Sequence, residues 1–418
     1  MKVNLEEISS LCGRNSESHA FIRGMWIEPG AISKIKNVMK QEGWQEPVII
    51  CDQNTYFLGD ALLEDLDNYD LICLDPDGLA ADERSVSLAQ NKIPETADCM
   101  IALGSVTIHD ITRYLSWQYH LPFMSVPTAA SGEGYTTCIS AVIRKGVKRN
   151  VRASAPTYLF ADTDIFAAAP HRLTAAGFSD LMGNYIALAD AQIHALLTGT
   201  PFNKALYTAE AELMRQVIRQ LESLINGEPS SCEQLLYALI LPDMETGFCD
   251  TARPLMGAEH HLSRYFEIAV KKPKQNVVHG EKVGIGTLLC LKAYEAFRAA
   301  LEDNRLVPAK RFPSAKREIE KGFPDTEVRE AVVLLNTPDP MTDITAEQVL
   351  SHREEILEIL KNLPSAADIE ACFHKMDCKV YVEELGISGA VIPEAMARSP
   401  YVSRDITLLR LMKLFEKF

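Results

Sequence analysis

The sequence predicts an α/β domain with a parallel sheet, followed by an all-helical domain. Short apolar runs recur through the first 165 residues, and helix-like stretches separate them. After about residue 170, the apolar residues follow a helical period almost to the end of the chain. Strands that alternate with helices are typical of a doubly wound sheet. We therefore expect two domains, at residues 1–168 and 169–418.

The strands of the first domain are predicted by continuous apolar runs. Four such runs lie at residues 47–51, 70–74, 99–103 and 123–126, and a fifth strand is predicted at 158–162. Continuous rather than alternating apolar character indicates a parallel sheet that is covered on both faces. Residues 139–143 and 150–154 flank the basic segment 144–149 and predict a β-hairpin with a basic tip.

The helices are predicted by their apolar period. A helix in the first domain is expected at residues 109–119, and the clearest later ones at 206–224, 282–300 and 346–360. The segment 307–340 is richer in proline and charge, and it predicts an irregular connection. A ligand of such a two-domain chain is expected in the cleft between the domains.

The composition excludes several classes of function. The 418 residues include 42 Lys and Arg against 57 Asp and Glu, a net charge of −15, which argues against non-specific binding to nucleic acid or to anionic membranes. Neither a membrane-inserting run of about 18 apolar residues nor a signal peptide is apparent. Ten cysteines without a CxxC pair predict free thiols in a reducing cytoplasm, and the spacing of Cys372, His374 and Cys378 is not a usual zinc pattern.

Polar and glycine residues follow three of the predicted strands. Asp52 ends the first apolar run, where its carboxylate suits either ribose hydroxyls or the cap of a turn. Gly104 and Ser105 end the third run just before a helix, an arrangement that suits a phosphate group as well as an ordinary turn. The loop at 125–135 is rich in small residues and contacts either a ligand or only itself.

A metal site is the third candidate. Asp180, His260 and His279 together supply one carboxylate and two imidazoles, a reasonable three-ligand set for catalytic zinc. The three are far apart in the sequence, so their spacing leaves open the alternative that each histidine is an ordinary surface or hydrogen-bonded one. Glu259 is either a partner of His260 or a solvated charge.

These motifs, taken together and in order, resemble the superfamily of iron-containing alcohol dehydrogenases, glycerol dehydrogenases and dehydroquinate synthases, and within it the bacterial sn-glycerol-1-phosphate dehydrogenases. The resemblance covers about residues 25–300 and is carried by residues 51–56, 104–110, 125–134, 161–164, 170–180, 259–263 and 279–280. It implies a Rossmann-like dinucleotide-binding domain at 1–168 and a dehydroquinate synthase-like, all-α domain at 169–418 that binds metal and substrate.

The resemblance also implies roles for individual residues. The catalytic metal ligands would be Asp180, His260 and His279. The nicotinamide cofactor would bind at Asp52, Gly104, Ser105, Thr128, Ser131 and Thr137, and the substrate at Glu133 and Arg264. The implied reaction is the reversible reduction of dihydroxyacetone phosphate, a small phosphorylated substrate, to sn-glycerol 1-phosphate. A homodimer is expected. Zinc suits the ligand set, as do nickel and iron.

Two of these positions depart from the usual family pattern. Glu133 stands where an aspartate is usual, and Arg264 stands where a histidine is usual. An arginine is a permanent cation that can hold a phosphate or carboxylate in bidentate fashion, although the two residues could instead pair with each other. A different anionic polyol or ketone, a cyclase or lyase reaction, and a non-catalytic binding role stay open as alternatives. Asp52 would repel a 2′-phosphate and therefore favours NAD(H) over NADP(H).

Overall fold

A computed structural model describes residues 3–11, 22–144, 147–248, 256–269, 277–310 and 315–416 of the chain. The strands are β1 (Gly24–Glu28), β2 (Pro47–Asp52), β3 (Asp70–Leu74), β4 (Cys99–Gly104), β5 (Phe123–Pro127), β6 (Ile139–Arg144), β7 (Val147–Arg152) and β8 (Tyr158–Asp162). The helices are α1 (Leu5–Leu11), α2 (Ile35–Glu42), α3 (Asp60–Asp65), α4 (Glu83–Gln90), α5 (Val106–Tyr119), α6 (Thr163–Phe166), α7 (His171–Thr198), α8 (Lys204–Arg219), α9 (Leu221–Ile225), α10 (Pro229–Phe248), α11 (Ala258–Ala269), α12 (His279–Glu302), α13 (Ala315–Gly322), α14 (Thr326–Leu335), α15 (Ala346–Ser351), α16 (Arg353–Lys361), α17 (Ala366–Lys375), α18 (Ile392–Arg398) and α19 (Leu408–Leu411).

Six strands form one parallel sheet in the order β1-β8-β5-β4-β2-β3. Every residue of β2, β4, β5 and β8 is buried. Successive residues of β2 join different apolar clusters, with Ile49 in one and Val48 and Ile50 in the other. The sheet is therefore covered on both faces, as the apolar runs predict, and the five predicted strands are confirmed as β2 to β5 and β8.

The first strand, β1, is absent from the sequence prediction. It pairs in parallel with β8 at one edge of the sheet, and its residues alternate between buried and half-buried. Trp26 stacks on Phe160 of the neighbouring strand, with ring centroids 4.9 Å apart and planes 8° apart. An edge strand of only five residues does not have the continuous apolar run that identifies the inner strands.

The hairpin prediction is confirmed, with shifted ends. Strands β6 and β7 form a separate two-stranded sheet, and β7 covers residues 147–152 rather than 150–154. Residues 144 and 147–149, which are predicted to belong to the tip, therefore lie in the strands. Residues 145 and 146, at the predicted basic tip, lie outside the described residues.

Three predictions in the helical part are wrong. The stretch 206–224 is not one helix, because α8 ends at Arg219 and α9 begins at Leu221. The stretch 346–360 is not one helix, because α15 ends and α16 begins around His352. The segment 307–340 is not an irregular connection, because it contains α13 and α14. Pro324 lies between these two helices, and Asp325 caps α14 by accepting hydrogen bonds from the amides of its first turn. The prolines that suggested an irregular segment instead mark the spaces between short helices.

Two compact units are present in the fold. One contains the six-stranded sheet and comprises Met1–Arg144, Lys148–Leu181 and Thr208–Ala252. The other comprises Lys145–Val147, Met182–Tyr207 and Arg253–Phe418, and in it α12 packs against α11, α16 and α17. The change from α/β to helical structure near residue 170 is confirmed, while the domain boundary at 168 stays a prediction. No described helix has both the length and the apolar character of a membrane span.

Candidate metal and nucleotide site

Three side chains that ligate metals converge in the structure. Asp180 lies on α7, His260 in the first turn of α11, and His279 is the first residue of α12. One potential ligand atom from each lies within 4.8 Å of the others, with Asp180 and His260 buried and His279 half-buried. The two imidazole rings are 5.2 Å apart. The three residues, separated by up to about 100 positions in the sequence, thus form one cluster.

The donor set fits a divalent cation. A carboxylate and two imidazoles are ligands that zinc, nickel and iron accept. The Nδ1 atom of His260 is hydrogen-bonded to Oε1 of Glu259 at 2.8 Å, and Glu259 is fully buried. Because an ionised carboxylate can only accept hydrogen bonds, Nδ1–H of His260 is the donor in this contact. The predicted contact of Glu259 with His260 is confirmed.

The loop after β5 approaches Asp180 closely. We call residues 128–138 the small-residue loop. The amide of Glu133 donates a hydrogen bond to Oδ2 of Asp180 at 2.9 Å. A Cβ atom at Gly132 would lie only 2.8 Å from the same oxygen, and one at Gly177 would lie 1.9 Å from the carbonyl oxygen of Ala130. Glycines on both sides therefore allow this loop and α7 to pack backbone against backbone.

A buried ion-pair network holds the small-residue loop from the other side. Asp243 of α10 accepts hydrogen bonds from the amides of Gly134 at 2.6 Å and Thr136 at 3.4 Å. Arg113 of α5 is fully buried and donates to Oδ1 of Asp110 at 2.9 Å and to the carbonyl of Gly134. Burial raises the pKa of Asp243 to about 6 and lowers the pKa of Arg113.

Sequence reasoning missed this network. The spacing of Asp110 and Arg113, one turn apart on a helix, is a local signal for a pair. No local signal connects Asp243 to a loop that lies about 110 positions earlier in the chain.

The predicted cofactor residues near the sheet lie at the carboxyl ends of neighbouring strands. Asp52 is the last residue of β2 and is buried, and its Oδ1 accepts a hydrogen bond from the amide of Asn54 at 2.8 Å. Gly104 is the last residue of β4, and Ser105 is the N-cap residue of α5. The amide of Thr128 donates to the carbonyl of Gly104 at 3.3 Å. Because β5, β4 and β2 are adjacent and parallel, these residues lie together at the carboxyl ends of the strands.

The other two predicted cofactor residues, Ser131 and Thr137, have partners within the small-residue loop or at the start of β6, which follows it. The hydroxyl of Ser131 lies 3.2 Å from that of Tyr135, which donates to the carbonyl of Ala129 at 2.7 Å. The hydroxyl of Thr137 accepts a hydrogen bond from the amide of Ile139 at 3.1 Å. Both side chains therefore contribute to the shape of the loop, and their contact with a cofactor stays a prediction.

Each of the two predicted substrate contacts lies near one predicted metal ligand: Glu133 near Asp180, and Arg264 near His260. The backbone of Glu133 is bonded to Asp180, as described above. Arg264 follows His260 by four residues on α11, so the two lie on the same face of that helix. Arg264 is buried, which lowers the pKa of its guanidinium, and its Nη2 lies 2.9 Å from the sulfur of Met256.

Comparison with known proteins gives consistent results. Residues 26–170 match the family model of iron-containing alcohol dehydrogenases. The chain is 33% identical to glycerol-1-phosphate dehydrogenase [NAD(P)+] of Bacillus velezensis over 336 residues, which is 78% of this chain and 85% of that protein. It is 28% identical to the enzyme of the same name from Geobacillus stearothermophilus, over 99% of this chain and 98% of that one.

Solved structures share the fold. The iron-containing alcohol dehydrogenase of Corynebacterium glutamicum aligns with a TM-score of 0.61 and 12% identity, covering 97% of this chain and 99% of that one. Sulfoacetaldehyde reductase of Bifidobacterium kashiwanohense, solved in complex with NAD+, aligns with a TM-score of 0.60 and 13% identity, covering 94% and 97%. At such low identity, the similarity concerns the fold alone.

Proposed function

We propose, from the premise that this chain belongs to the glycerol-1-phosphate dehydrogenase family, that it catalyses the reversible, NAD(P)-linked reduction of dihydroxyacetone phosphate to sn-glycerol 1-phosphate. The observation that carries the proposal is the convergence of ligand atoms from Asp180, His260 and His279 within 4.8 Å. The relatives at 27–33% identity over most of the chain are dehydrogenases, so the cyclase or lyase alternative is not favoured.

We assign Asp180, His260 and His279 as the ligands of a divalent cation, with zinc, nickel and iron as candidates. When bound, such a cation supplies a Lewis acid that polarises the carbonyl oxygen of the substrate. Asp180 is oriented by the amide of Glu133, and His260 by the carboxylate of Glu259. These contacts fix the ligand side chains before any substrate arrives, which lowers the cost of organising the site.

The nicotinamide cofactor is assigned to the carboxyl ends of the central strands, where Asp52, Gly104, Ser105 and Thr128 lie. Asp52 is placed to accept hydrogen bonds from ribose hydroxyls, and the amino end of α5 after Ser105 presents amides to a phosphate. Ser131 and Thr137 are assigned to the same cofactor from the small-residue loop. A carboxylate at position 52 repels a 2′-phosphate, so we expect NAD(H) to be preferred over NADP(H).

The substrate is assigned to Glu133 and Arg264. The guanidinium of Arg264 provides a permanent positive charge one helical turn from His260, which suits the phosphate of a small substrate. Glu133 lies where its backbone already contacts Asp180, so its side chain is near the cation site. We further propose a homodimer, because two-fold dimers are the commonest homo-oligomers of soluble proteins. We also propose a cytoplasmic location, because no two of the described cysteines form a disulfide bond.

The test is turnover that depends on both the metal and the three ligands. Metal-stripped protein is reloaded with zinc, nickel or iron and assayed for oxidation of NADH with dihydroxyacetone phosphate. His260→Ala and His279→Ala should each lose bound metal and at least 100-fold in turnover. His374→Ala, which changes an exposed histidine on α17, is the matched control and should behave like the wild type.

Two results would contradict the proposal. Full turnover in the metal-free wild type would remove the metal from the reaction. Metal-loaded wild type that binds NADH but does not reduce dihydroxyacetone phosphate would remove the named substrate. Unphosphorylated dihydroxyacetone is the comparison that measures what the phosphate contributes, and Arg264→Met should reduce the preference for the phosphorylated compound.

A further inference from the structure

Glu259 is a buried carboxylate, and among the described residues its hydrogen-bond donors contact only one of its two oxygens. The side chain is fully buried at the start of α11. Its Oε1 accepts hydrogen bonds from Nδ1 of His260 at 2.8 Å and from the amide of Gly257 at 2.9 Å. Its Oε2 accepts none from the described residues. A buried carboxylate is costly unless something compensates its charge, so the contact with His260 calls for a functional explanation.

Three glycines enclose Glu259. A Cβ at Gly257 would lie 2.4 Å from its Oε2, one at Gly286 would lie 2.5 Å from its carbonyl oxygen, and one at Gly183 would lie 3.1 Å from its Cγ. Gly183 follows Asp180 by three residues on α7, and Gly286 follows His279 by seven on α12. The helices that carry the other two ligands therefore close around Glu259 at positions where any larger residue would push it away.

We infer that Glu259 is a positioning residue for the cation site: it holds the ring of His260 in the Nδ1–H tautomer, with Nε2 directed toward the cluster with Asp180 and His279. This inference rests on the proposed metal site and adds a residue to it. The negative charge of Glu259 also makes the imidazole a stronger donor to a cation, since a carboxylate behind a ligating histidine raises its electron density.

A separate contact anchors the same helix. Asp190 of α7 accepts hydrogen bonds from the amide of Ala258 at 2.9 Å, from the hydroxyl of Tyr294 at 2.7 Å and from the amide of Leu408 at 2.8 Å. It thereby ties the first residue of α11 to α7 and α12 without touching His260. Removing the carboxylate of Glu259 should consequently disturb the orientation of one ring more than the position of the helix.

The experiment measures metal affinity rather than turnover. Metal-free wild type, Glu259→Gln and Glu259→Ala are titrated with Zn²⁺ in competition with a chromophoric chelator. We expect Glu259→Ala to raise the dissociation constant by about 10- to 100-fold. Glu259→Gln keeps an acceptor but loses the charge, so a smaller rise of several-fold is expected. A second readout is the ¹⁵N spectrum of labelled histidines, in which His260 should show a protonated Nδ1 in the wild type and lose that signature in Glu259→Ala.

Tyr294→Phe is the matched control, because it removes a buried hydrogen bond from the anchor at Asp190 and leaves Glu259 in place. It should lower the unfolding free energy and leave the Zn²⁺ dissociation constant within about twofold of the wild type. The inference is overturned if Glu259→Gln and Glu259→Ala bind Zn²⁺ like the wild type. It is equally overturned if Tyr294→Phe weakens binding as much as they do, since general loosening would then explain the effect.

Failure of the inference can be told apart from failure of the proposed function. A wild type that binds Zn²⁺ but does not reduce dihydroxyacetone phosphate, together with weakened binding in the Glu259 variants, supports the positioning role and refutes only the substrate. A wild type that binds no divalent cation overturns both.

Discussion

Gly177 is the position at which a single methyl group tests the packing of the site most directly. It lies inside α7, three residues before Asp180, and faces the backbone of the small-residue loop. In Gly177→Ala, the new Cβ would lie 1.9 Å from the carbonyl oxygen of Ala130 and 2.8 Å from its carbonyl carbon. Neither atom belongs to a side chain that can rotate away, so the loop or the helix must shift.

The size of the shift follows from the contact. To bring the Cβ–O distance to even 3.0 Å, the shortest that real structures show, the backbone must separate by about 1.1 Å. Overpacking of this kind costs about 3 kcal/mol, and the better helix propensity of alanine returns about 1 kcal/mol. We therefore expect Gly177→Ala to be about 2 kcal/mol less stable than the wild type. Because the displaced loop carries Glu133, whose amide orients Asp180, a shift of about 1 Å should also lower kcat/KM by about 100-fold.

Urea unfolding and steady-state assays measure the two effects. The matched control is Gly322→Ala at the end of α13, where the three atoms nearest to the new Cβ all belong to the side chain of Arg398, the closest being Cδ at 2.6 Å. That side chain can rotate away, whereas the backbone at Ala130 cannot, so the control should lose less stability than Gly177→Ala. Wild-type stability and wild-type kcat/KM in Gly177→Ala would refute the reasoning, because the loop would then tolerate the displacement.

Three further predictions concern the fold. Burial lowers the pKa of His109 to about 3, so below pH 6.5 the unfolded state takes up a proton while the folded state stays neutral, and the stability present above pH 6.5 is lost as the pH falls toward 3. Between pH 7.5 and 5, the wild type should therefore lose about 2 kcal/mol more unfolding free energy than His109→Gln, measured by urea unfolding at each pH. Equal losses in the two proteins would contradict this prediction. Asp82 caps α4 by accepting from the amide of Ser85 at 2.8 Å, so Asp82→Ala should lower the unfolding free energy by about 1 kcal/mol, and an unchanged urea midpoint would exclude the cap. Phe160 is fully buried against Trp26, so Phe160→Ala should cost about 3–5 kcal/mol, followed by tryptophan fluorescence; a loss below about 1 kcal/mol would mean that the edge strand is not packed as described.

The sheet could be predicted from the sequence as far as its strands are buried. Strands such as β2 and β4 are covered on both faces, and only apolar residues are tolerated there, so the runs at 47–51 and 99–103 are visible without a structure. Strand β1 depends on pairing with β8, which lies 130 residues away in the sequence. The break at His352 depends on packing in a similar way, because the apolar period runs on through it while the helix does not.

In the candidate site, too, some residues could be predicted from the sequence and others could not. Asp180, His260 and His279 could be named from residue chemistry together with the resemblance to a family, and the structure brings their ligand atoms together. Asp243 could not, because its bonds to the small-residue loop are tertiary contacts that leave no fixed spacing in the sequence.

The carboxylates near the three proposed ligands bear on the charge of the cation that we propose for this site. Asp180 contributes one carboxylate directly, and Glu259 contributes a second through its hydrogen bond to His260. A cation of charge +2 would be attracted more strongly by these two carboxylates than a monovalent ion would be. The glycines that enclose Glu259 are then needed to keep this second carboxylate in place, because a larger residue at Gly257 or Gly286 would push Glu259 away from the ring of His260.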